Sequence, residues 1–207
     1  MFKKSIKEQN LYNLLSISKM LKTTEHFVFY GTLLGLTRKN DIIEGDDDVD
    51  FLVDYKNKNK VLEIIKKNKK FKLNHKNSSK YFTQFMNNKN GLDTFIDFYF
   101  YENHTNKKYI IERHNFLSNI FDANFAIHIP KKYIFPIKKN KKFKLICVPN
   151  KSEKICEYLY GKSWRVPLKK NTGYRMEIVN NKPMLIKRSY IGFLTREFKK
   201  RINNFFN

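Results

Sequence analysis

Hydrophobic and polar positions recur along this chain in distinct rhythms, and each rhythm predicts an element. From Ser5 to Thr23, Leu11, Leu14, Leu15 and Leu21 return at helical spacing with Lys and Glu between them, which predicts an amphipathic helix with Ser5 as its N-cap. Phe27-Val28-Phe29-Tyr30 is a short aromatic run ending at Gly31, and Thr32 to Leu36 then reads as a short helix, so this segment predicts strand, glycine turn, helix. Asp48 to Val53 alternates carboxylates with Val49 and Phe51, the pattern of a second strand. Val61, Leu62, Ile64 and Ile65 fall on one face of the lysine-rich helix that follows.

Beyond Phe71 the pattern changes to strand-like stretches, Tyr81 to Met86, Leu92 to Tyr101 and Lys108 to Ile111, separated by polar turns such as Asn87-Asn88-Lys89-Asn90-Gly91. A later block holds Phe135-Pro136-Ile137, a β-like run Phe143 to Pro149, and a helix from Lys151 to Tyr160 ended by Gly161. Ile191, Leu194, Phe198, Ile202 and Phe205 form one stripe with Arg196, Lys199, Lys200 and Arg201 between them, which predicts a basic amphipathic tail over about 187–207. No internal repeat or Pro/Gly/Ser linker interrupts the chain. The expectation is a single domain over 1–207, α/β in class (α+β, with one mixed sheet).

Composition narrows the picture. In 207 residues, 41% hydrophobic content is enough to bury a core and excludes global disorder. Forty-two basic against nineteen acidic residues leave a formal charge of +23, which raises anionic partners: nucleic acid, phospholipid or nucleotide. The basic residues are 35 Lys and only 7 Arg beside 24 Asn, so much of that charge reads as general composition spread over a solvated surface. No apolar run has the length of a membrane span or the form of a signal peptide, so the expected location is cytoplasmic, with peripheral contact of the basic tail with the anionic inner membrane face. Cys147 and Cys156 are expected as reduced thiols, and no His/Cys spacing suggests structural zinc.

The chemistry concentrates in Gly31-Thr32-Leu33-Leu34-Gly35-Leu36-Thr37-Arg38 and Asp46-Asp47-Asp48-Val49-Asp50-Phe51. In extended backbone, Asp46, Asp48 and Asp50 share one face while Val49 and Phe51 point into the core. Like charges so close raise one another's pKa unless a cation sits among them, and oxygen-only ligands favour Mg²⁺, Mn²⁺ or Ca²⁺ over zinc. An EF-hand loop fails on Phe51, where Gly is required, and on Asn57, where Glu is required. Four of only nineteen acids occupy Asp46 to Asp50, which sets this run apart from a solvated acidic loop. Gly31 and Thr32 suit a phosphate cradle at a helix N-terminus, and Arg38 suits a phosphate clamp. Asp97, alone in the aromatic run Phe95 to Phe100, is the candidate third ligand or the base for an acceptor hydroxyl, with Asp93 as the fallback.

Tyr30-Gly31-Thr32-Leu33-Leu34-Gly35, Arg38 and Asp46-Asp47-Asp48-Val49-Asp50 together resemble the LicD/fukutin-related family. So does the later signature Phe135-Pro136-Ile137, Phe143, Val148-Pro149, then Tyr158-Leu159-Tyr160-Gly161-Lys162-Ser163-Trp164 and Pro167. The resemblance spans Phe27 to Pro167. It implies a nucleotidyltransferase-like fold and transfer of a phosphorylated alcohol, phosphocholine or an alditol phosphate, from a CDP-linked donor to a hydroxyl of a glycan or lipid-linked glycan. Position by position it implies Asp48 and Asp50 as metal ligands supported by Asp46, and Gly31, Thr32, Gly35 and Arg38 as donor-binding residues. Asp97 stands as the third catalytic carboxylate beside Asp48 and Asp50, with Tyr160 and Trp164 either lining the site or packing a helix end. Where the family writes Pro-Trp before its aspartates, this chain has Glu44-Gly45, which leaves the donor alcohol open.

Two other functions compete. A nucleotide-sugar-dependent glycosyltransferase also uses Asp-x-Asp to hold a metal on a diphosphate. A basic nucleic-acid-binding protein would use the +23 charge and the 19 Phe and 12 Tyr, but the lysines are scattered and the aromatics sit in strand-like runs that need them for packing.

Overall fold

The computed structural model of the protein describes residues 5–89, 91–113, 126–168 and 174–187. Ser5 starts the first helix as its sequence requires. Its hydroxyl accepts from the Glu8 N–H (3.2 Å), and the Glu8 carboxylate accepts from the Ser5 N–H (3.1 Å), a reciprocal cap that opens α1 (Ile6–Met20). Of the leucines whose spacing predicts the buried face, Leu14 and Leu21 are fully buried and Leu11 and Leu15 partly so; Ile17 joins them in the core. The same face also buries Gln9, Asn10 and Asn13, which hydrophobic patterning leaves out of the core.

The next elements are β1 (His26–Val28), α2 (Tyr30–Lys39), β2 (Asp48–Asp54), α3 (Lys58–Lys66), β3 (Lys72–Asn74), β4 (Phe82–Lys89) and β5 (Leu92–Asn103). They are followed by β6 (Tyr109–Glu112), β7 (Ile127–Pro130), α4 (Lys131–Ile134), β8 (Lys138–Lys139), β9 (Cys147–Val148), α5 (Ser152–Tyr160), β10 (Tyr174–Val179) and β11 (Lys182–Lys187). One sheet of seven strands runs β1-β2-β5-β4-β3, with β6 pairing β5 and β7 pairing β6. Among the described residues β2 and β5 are the one parallel pair in it and the other pairs are antiparallel, so the sheet is mixed as expected.

Strand parity divides the sheet into two unlike faces. Val49, Phe51 and Val53 of β2, Ile96, Phe98 and Phe100 of β5 and Phe85 of β4 form one, all fully buried, with Phe51 stacked on Phe98 at 5.4 Å. Side chains of α1 meet this face at Thr94. The opposite face carries Asp48, Asp50 and Asp97, and α2 meets it at Asp50.

Three local expectations change. α2 begins before Gly31: Tyr30 itself makes the turn out of the strand, at φ 39, and Gly31 is already inside the helix. The helix then runs to Lys39 and closes on Asn40, whose left-handed conformation (φ 55) is one that Asn tolerates well. The β-like run Phe143 to Pro149 contributes only Cys147–Val148 as strand, because the Asn140 side chain accepts from the N–H groups of Lys142 (3.0 Å) and Phe143 (2.8 Å) and bends the segment. The hairpin β10–β11 was not anticipated, although Asn180 and Asn181, both at positive φ, are the turn residues such hairpins use.

Cys147 and Cys156 are free thiols. Among the described residues no helix is long and apolar enough to cross a membrane. The basic stripe from Ile191 to Phe205 lies outside the described residues.

Candidate active site

Parallel pairing of β2 with β5 sets Asp50 directly opposite Asp97 and Asp48 opposite Phe95. Paired residues in adjacent strands share a face, and Asp48 lies two residues before Asp50, so three carboxylates converge from two strands. One ligand oxygen from each of Asp48, Asp50 and Asp97 lies within 4.8 Å of the others. Asp46, Asp47 and Asp48 form a second group under the same limit. β2 starts at Asp48, so the expected alternation does not extend to Asp46. Asp97 completes the Asp48–Asp50 group, and Asp46 stands beside it.

Two of the three carboxylates, Asp50 and Asp97, are held by neighbouring side chains. The Asp50 Oδ2 accepts from the Thr32 N–H (3.0 Å) and from the Thr32 hydroxyl (3.3 Å), while the same hydroxyl accepts from the Asp50 N–H (2.8 Å). The first turn of α2 thus spends a free N–H and its positive end on a carboxylate of its own chain. Thr32, expected to contact donor phosphates, positions Asp50 in this structure. Gly31 has a steric reason to be glycine: an added Cβ would lie 3.0 Å from the Asp46 Oδ2 and 3.4 Å from the Asp50 Oδ2. The Asp97 Oδ1 accepts from Gln84 Nε2 (2.9 Å), and Gln84 faces Asp97 across β4 and β5. Asn10 of α1 donates to the Asp46 carbonyl (2.8 Å) and secures the segment that enters β2.

Burial and mutual repulsion act together on these acids. Asp50 is 4% and Asp97 5% exposed. Burial first, then Asp46, Asp97 and Asp47, pushes the Asp48 carboxyl up to about 7. Burial, opposed by the Gln84 hydrogen bond and assisted by Asp47, pushes Asp97 up to about 6. Asp50 is driven well above the usual carboxylate range, again by burial first and then by Asp48 and Asp97.

Tyrosines wall the group. Tyr99 stacks edge-on against Tyr30 at 4.8 Å, and half-buried Tyr160 feels Asp50, Asp46 and Asp48; all three hydroxyls are pushed upward, by burial first. The Tyr30 hydroxyl donates to Glu112 Oε2. Glu112 is fully buried and pushed up to about 8 by that burial, and its Oε1 has no hydrogen-bond partner. Tyr30, at positive φ, is therefore clamped at both backbone and side chain next to Gly31.

Other expected site residues go elsewhere. Gly35 is buried, and an added Cβ would lie 2.6 Å from the Asp41 carbonyl oxygen and 3.1 Å from Ile43, so it seats the 41–43 segment and leaves no room for a ligand. Arg38 lies two turns along α2 from Thr32 and donates from Nη2 to the Trp164 carbonyl (2.5 Å), away from the carboxylates. Trp164 is buried against the core and packs the end of α5. Asp93 is exposed and accepts from Asn88 Nδ2 (2.6 Å), so the fallback is not needed. Gln84, Tyr99 and Asn10 escaped the sequence reading, and Tyr30 entered it only as part of a motif. So did Glu112, although a lone acid ending the apolar run Tyr109-Ile110-Ile111 is the same signal that singled out Asp97.

The donor set fits a divalent cation. It is all oxygen, and its members raise one another's pKa. None of the ion pairs among the described residues involves Asp48, Asp50 or Asp97, although the chain has 42 basic residues to offer. Asp48, Asp50 and Asp97, unpaired with lysine or arginine among the described residues, are placed to take a metal ion.

Compared with known families, residues 23–150 match LicD/FKTN/FKRP, nucleotidyltransferase domain. No curated protein matches the chain.

Proposed function

The chain belongs to the LicD/FKTN/FKRP nucleotidyltransferase-domain family, a family of phosphotransferase-type enzymes, and from that premise we propose that it moves a phospho-alcohol from a CDP-linked donor to a hydroxyl of a glycan. The observation that carries this reading is the convergence of Asp48, Asp50 and Asp97 within 4.8 Å beside the first turn of α2. Asp48 and Asp50 would hold Mg²⁺ or Mn²⁺, with Asp46 in support and Asp97 beside them. Bound there, the cation supplies charge neutralisation for the donor diphosphate.

The chain's own residues account for the rest. Thr32 fixes Asp50 through two hydrogen bonds, and Gly31 keeps the space beside Asp46 and Asp50 free of a side chain, so the donor phosphates approach the backbone at the start of α2. Gln84 holds one oxygen of Asp97 and leaves Oδ2 to take the proton of the acceptor hydroxyl. The acceptor oxygen forms a bond to the alcohol-bearing phosphorus, the bond from that phosphorus to the bridging oxygen breaks, and CMP departs. Tyr30, Tyr99 and Tyr160 wall the group against bulk water.

The test is a panel of CDP-alcohols with a glycan acceptor, scored for CMP release and for phosphorus in the product. Release is expected to need Mg²⁺ or Mn²⁺ and to fall by at least about a hundredfold in Asp50→Ala and Asp97→Asn. Full-rate release in EDTA would overturn the proposal. Transfer of sugar without phosphorus would make the chain a glycosyltransferase.

A further inference from the structure

Away from the carboxylates, the C-terminal end of α2, the β8–β9 hairpin and the first turn of α5 enclose an open groove of about 840 Å³. Its size lies in the range of ligand sites, roughly 300–1,000 Å³. Seven of its sixteen lining residues are Lys or Arg, against 42 of 207 in the whole chain, so the enrichment is about twofold over an already basic background. Glu153 is the one acid in the lining, and it is paired with Arg165 at 2.9 Å. Lys39, Lys138, Lys141 and Lys151 form no ion pair among the described residues. The first turn of α5 adds its positive end, with no side-chain cap on its N–H groups.

The walls are held in place before any ligand arrives. Asn140 Nδ2 donates to the Asn40 Oδ1 (3.3 Å), tying the hairpin to the cap of α2, and Arg38 ties α2 to Trp164 beyond α5. The backbone N–H groups of Asn150 and Lys151 donate to Ile134 and Tyr133 (2.8 Å each), fixing the approach to α5.

The lining also indicates which anion. Among the described residues the lining contains no aromatic residue on which a base could stack, and beside its cations the Asn40 Nδ2 and Asn150 Oδ1 groups, not used in holding the walls, and the hydroxyl oxygens of Thr37 and Ser152 are left to meet sugar hydroxyls. We infer that this groove docks an anionic glycan, a saccharide chain bearing phosphate or carboxylate groups. As the docking site of the acceptor it rests on the proposed function; as an anion site it does not. It would give Lys39, Lys138, Lys141 and Lys151 a role that catalysis does not assign them.

The experiment is direct binding in EDTA and without donor, so that its outcome is separate from that of the CDP-alcohol assay. Dextran sulfate serves as the anionic glycan, with neutral dextran and single-stranded oligo-dT of matched charge as comparators. A groove variant (Lys138→Ala, Lys141→Ala, Lys151→Ala) is set against one with the same charge loss on α3 and beyond (Lys66→Ala, Lys67→Ala, Lys69→Ala). All six lysines are exposed, so neither set removes core packing, and melting curves check this.

Dextran sulfate is expected to bind and neutral dextran not to. The groove variant should weaken binding on the order of tenfold and lower the salt slope by roughly 2, with little change in the α3 variant. Equal loss in both variants would reduce the effect to net charge, and absence of wild-type binding would remove the site. Oligo-dT bound as tightly, with the same dependence on the groove lysines, would make it a nucleic-acid face. Each of these three results overturns the inference. If the triple variant does not fold, Lys141→Glu alone is read in the same way.

Discussion

Two glycines in one helix have different jobs. At Gly31 the nearest atoms to an added Cβ are carboxylate oxygens, at 3.0 and 3.4 Å, which can shift by a few tenths of an ångström. Gly31→Ala is expected to fold with an unchanged or slightly higher melting temperature, while its affinity for Mg²⁺, measured by calorimetric titration, falls on the order of tenfold because the oxygens are displaced. At Gly35 the nearest atom is the Asp41 backbone carbonyl, at 2.6 Å, which has no such freedom. Gly35→Ala should lose about 1–3 kcal/mol in urea unfolding, despite a helix-propensity gain of roughly 1 kcal/mol. Reversed outcomes would mean that the roles are exchanged. Nothing in Gly-Thr-Leu-Leu-Gly distinguishes the two in sequence, because the atoms that decide belong to residues outside that motif: Asp46 and Asp50 for Gly31, Asp41 and Ile43 for Gly35.

The least legible element is α1. Its leucines announce a helix and a buried face, but Gln9, Asn10 and Asn13 read as surface positions and are not. Gln9 Nε2 reaches the carbonyls of Asn87 (2.9 Å) and Leu92 (3.1 Å), and Asn13 exchanges hydrogen bonds with Thr94 (2.9 Å) and Asn87 (2.7 Å). Gln9 satisfies backbone carbonyls at the β4–β5 turn end and Asn13 satisfies buried polar side chains there, groups that a purely apolar helix would leave unpaired. Asn13→Ala should therefore cost about 1–3 kcal/mol in urea unfolding, more than truncation of an exposed Asn, because it strands the amide of Asn87. A loss below about 0.5 kcal/mol would show that water replaces the contact without penalty. The β2–β5 pair is the converse case: alternation alone assigned Asp48, Asp50 and Asp97 to their faces, while their register across a parallel pair could not be read from either strand.

At the scale of the whole molecule, the buried acids make stability depend on pH. Asp97, Asp48 and Glu112 are raised to about 6, 7 and 8 from ordinary values of 3.8, 3.8 and 4.5. A carboxyl with a raised folded value keeps its proton in the native state where the unfolded chain has already lost it. Its contribution is complete below about pH 4 and disappears as pH rises through the folded value. In EDTA the melting temperature should therefore fall between pH 5 and pH 8. Mg²⁺ binds the deprotonated acids, so it should raise the melting temperature more at pH 8 than at pH 5, by up to about 2.7 kcal/mol of stability at a hundredfold excess over Kd. Glu112→Gln should flatten the upper part of the metal-free profile, from pH 7 to 8, and leave the response to Mg²⁺ in place. A metal-free profile that rises with pH, or a response to Mg²⁺ that is stronger at pH 5, would contradict the arrangement of charges described above.

What sequence determined by itself was local: periodicities of two and 3.6, the Ser5 cap, the density of acids from Asp46 to Asp50, the isolation of Asp97 among aromatics, and the family motifs that match over residues 23–150. These are properties of neighbours in the chain, and sterics and burial translate them directly into elements and faces. Only tertiary structure decided which distant groups meet. It brought Asp97 to Asp50, gave Thr32 to Asp50, buried Glu112 behind Tyr30, moved Arg38 away from the carboxylates, and gathered scattered lysines around one groove. The physical reason is that strand register and helix docking are set by the packing of the whole core, which no short stretch of the chain encodes.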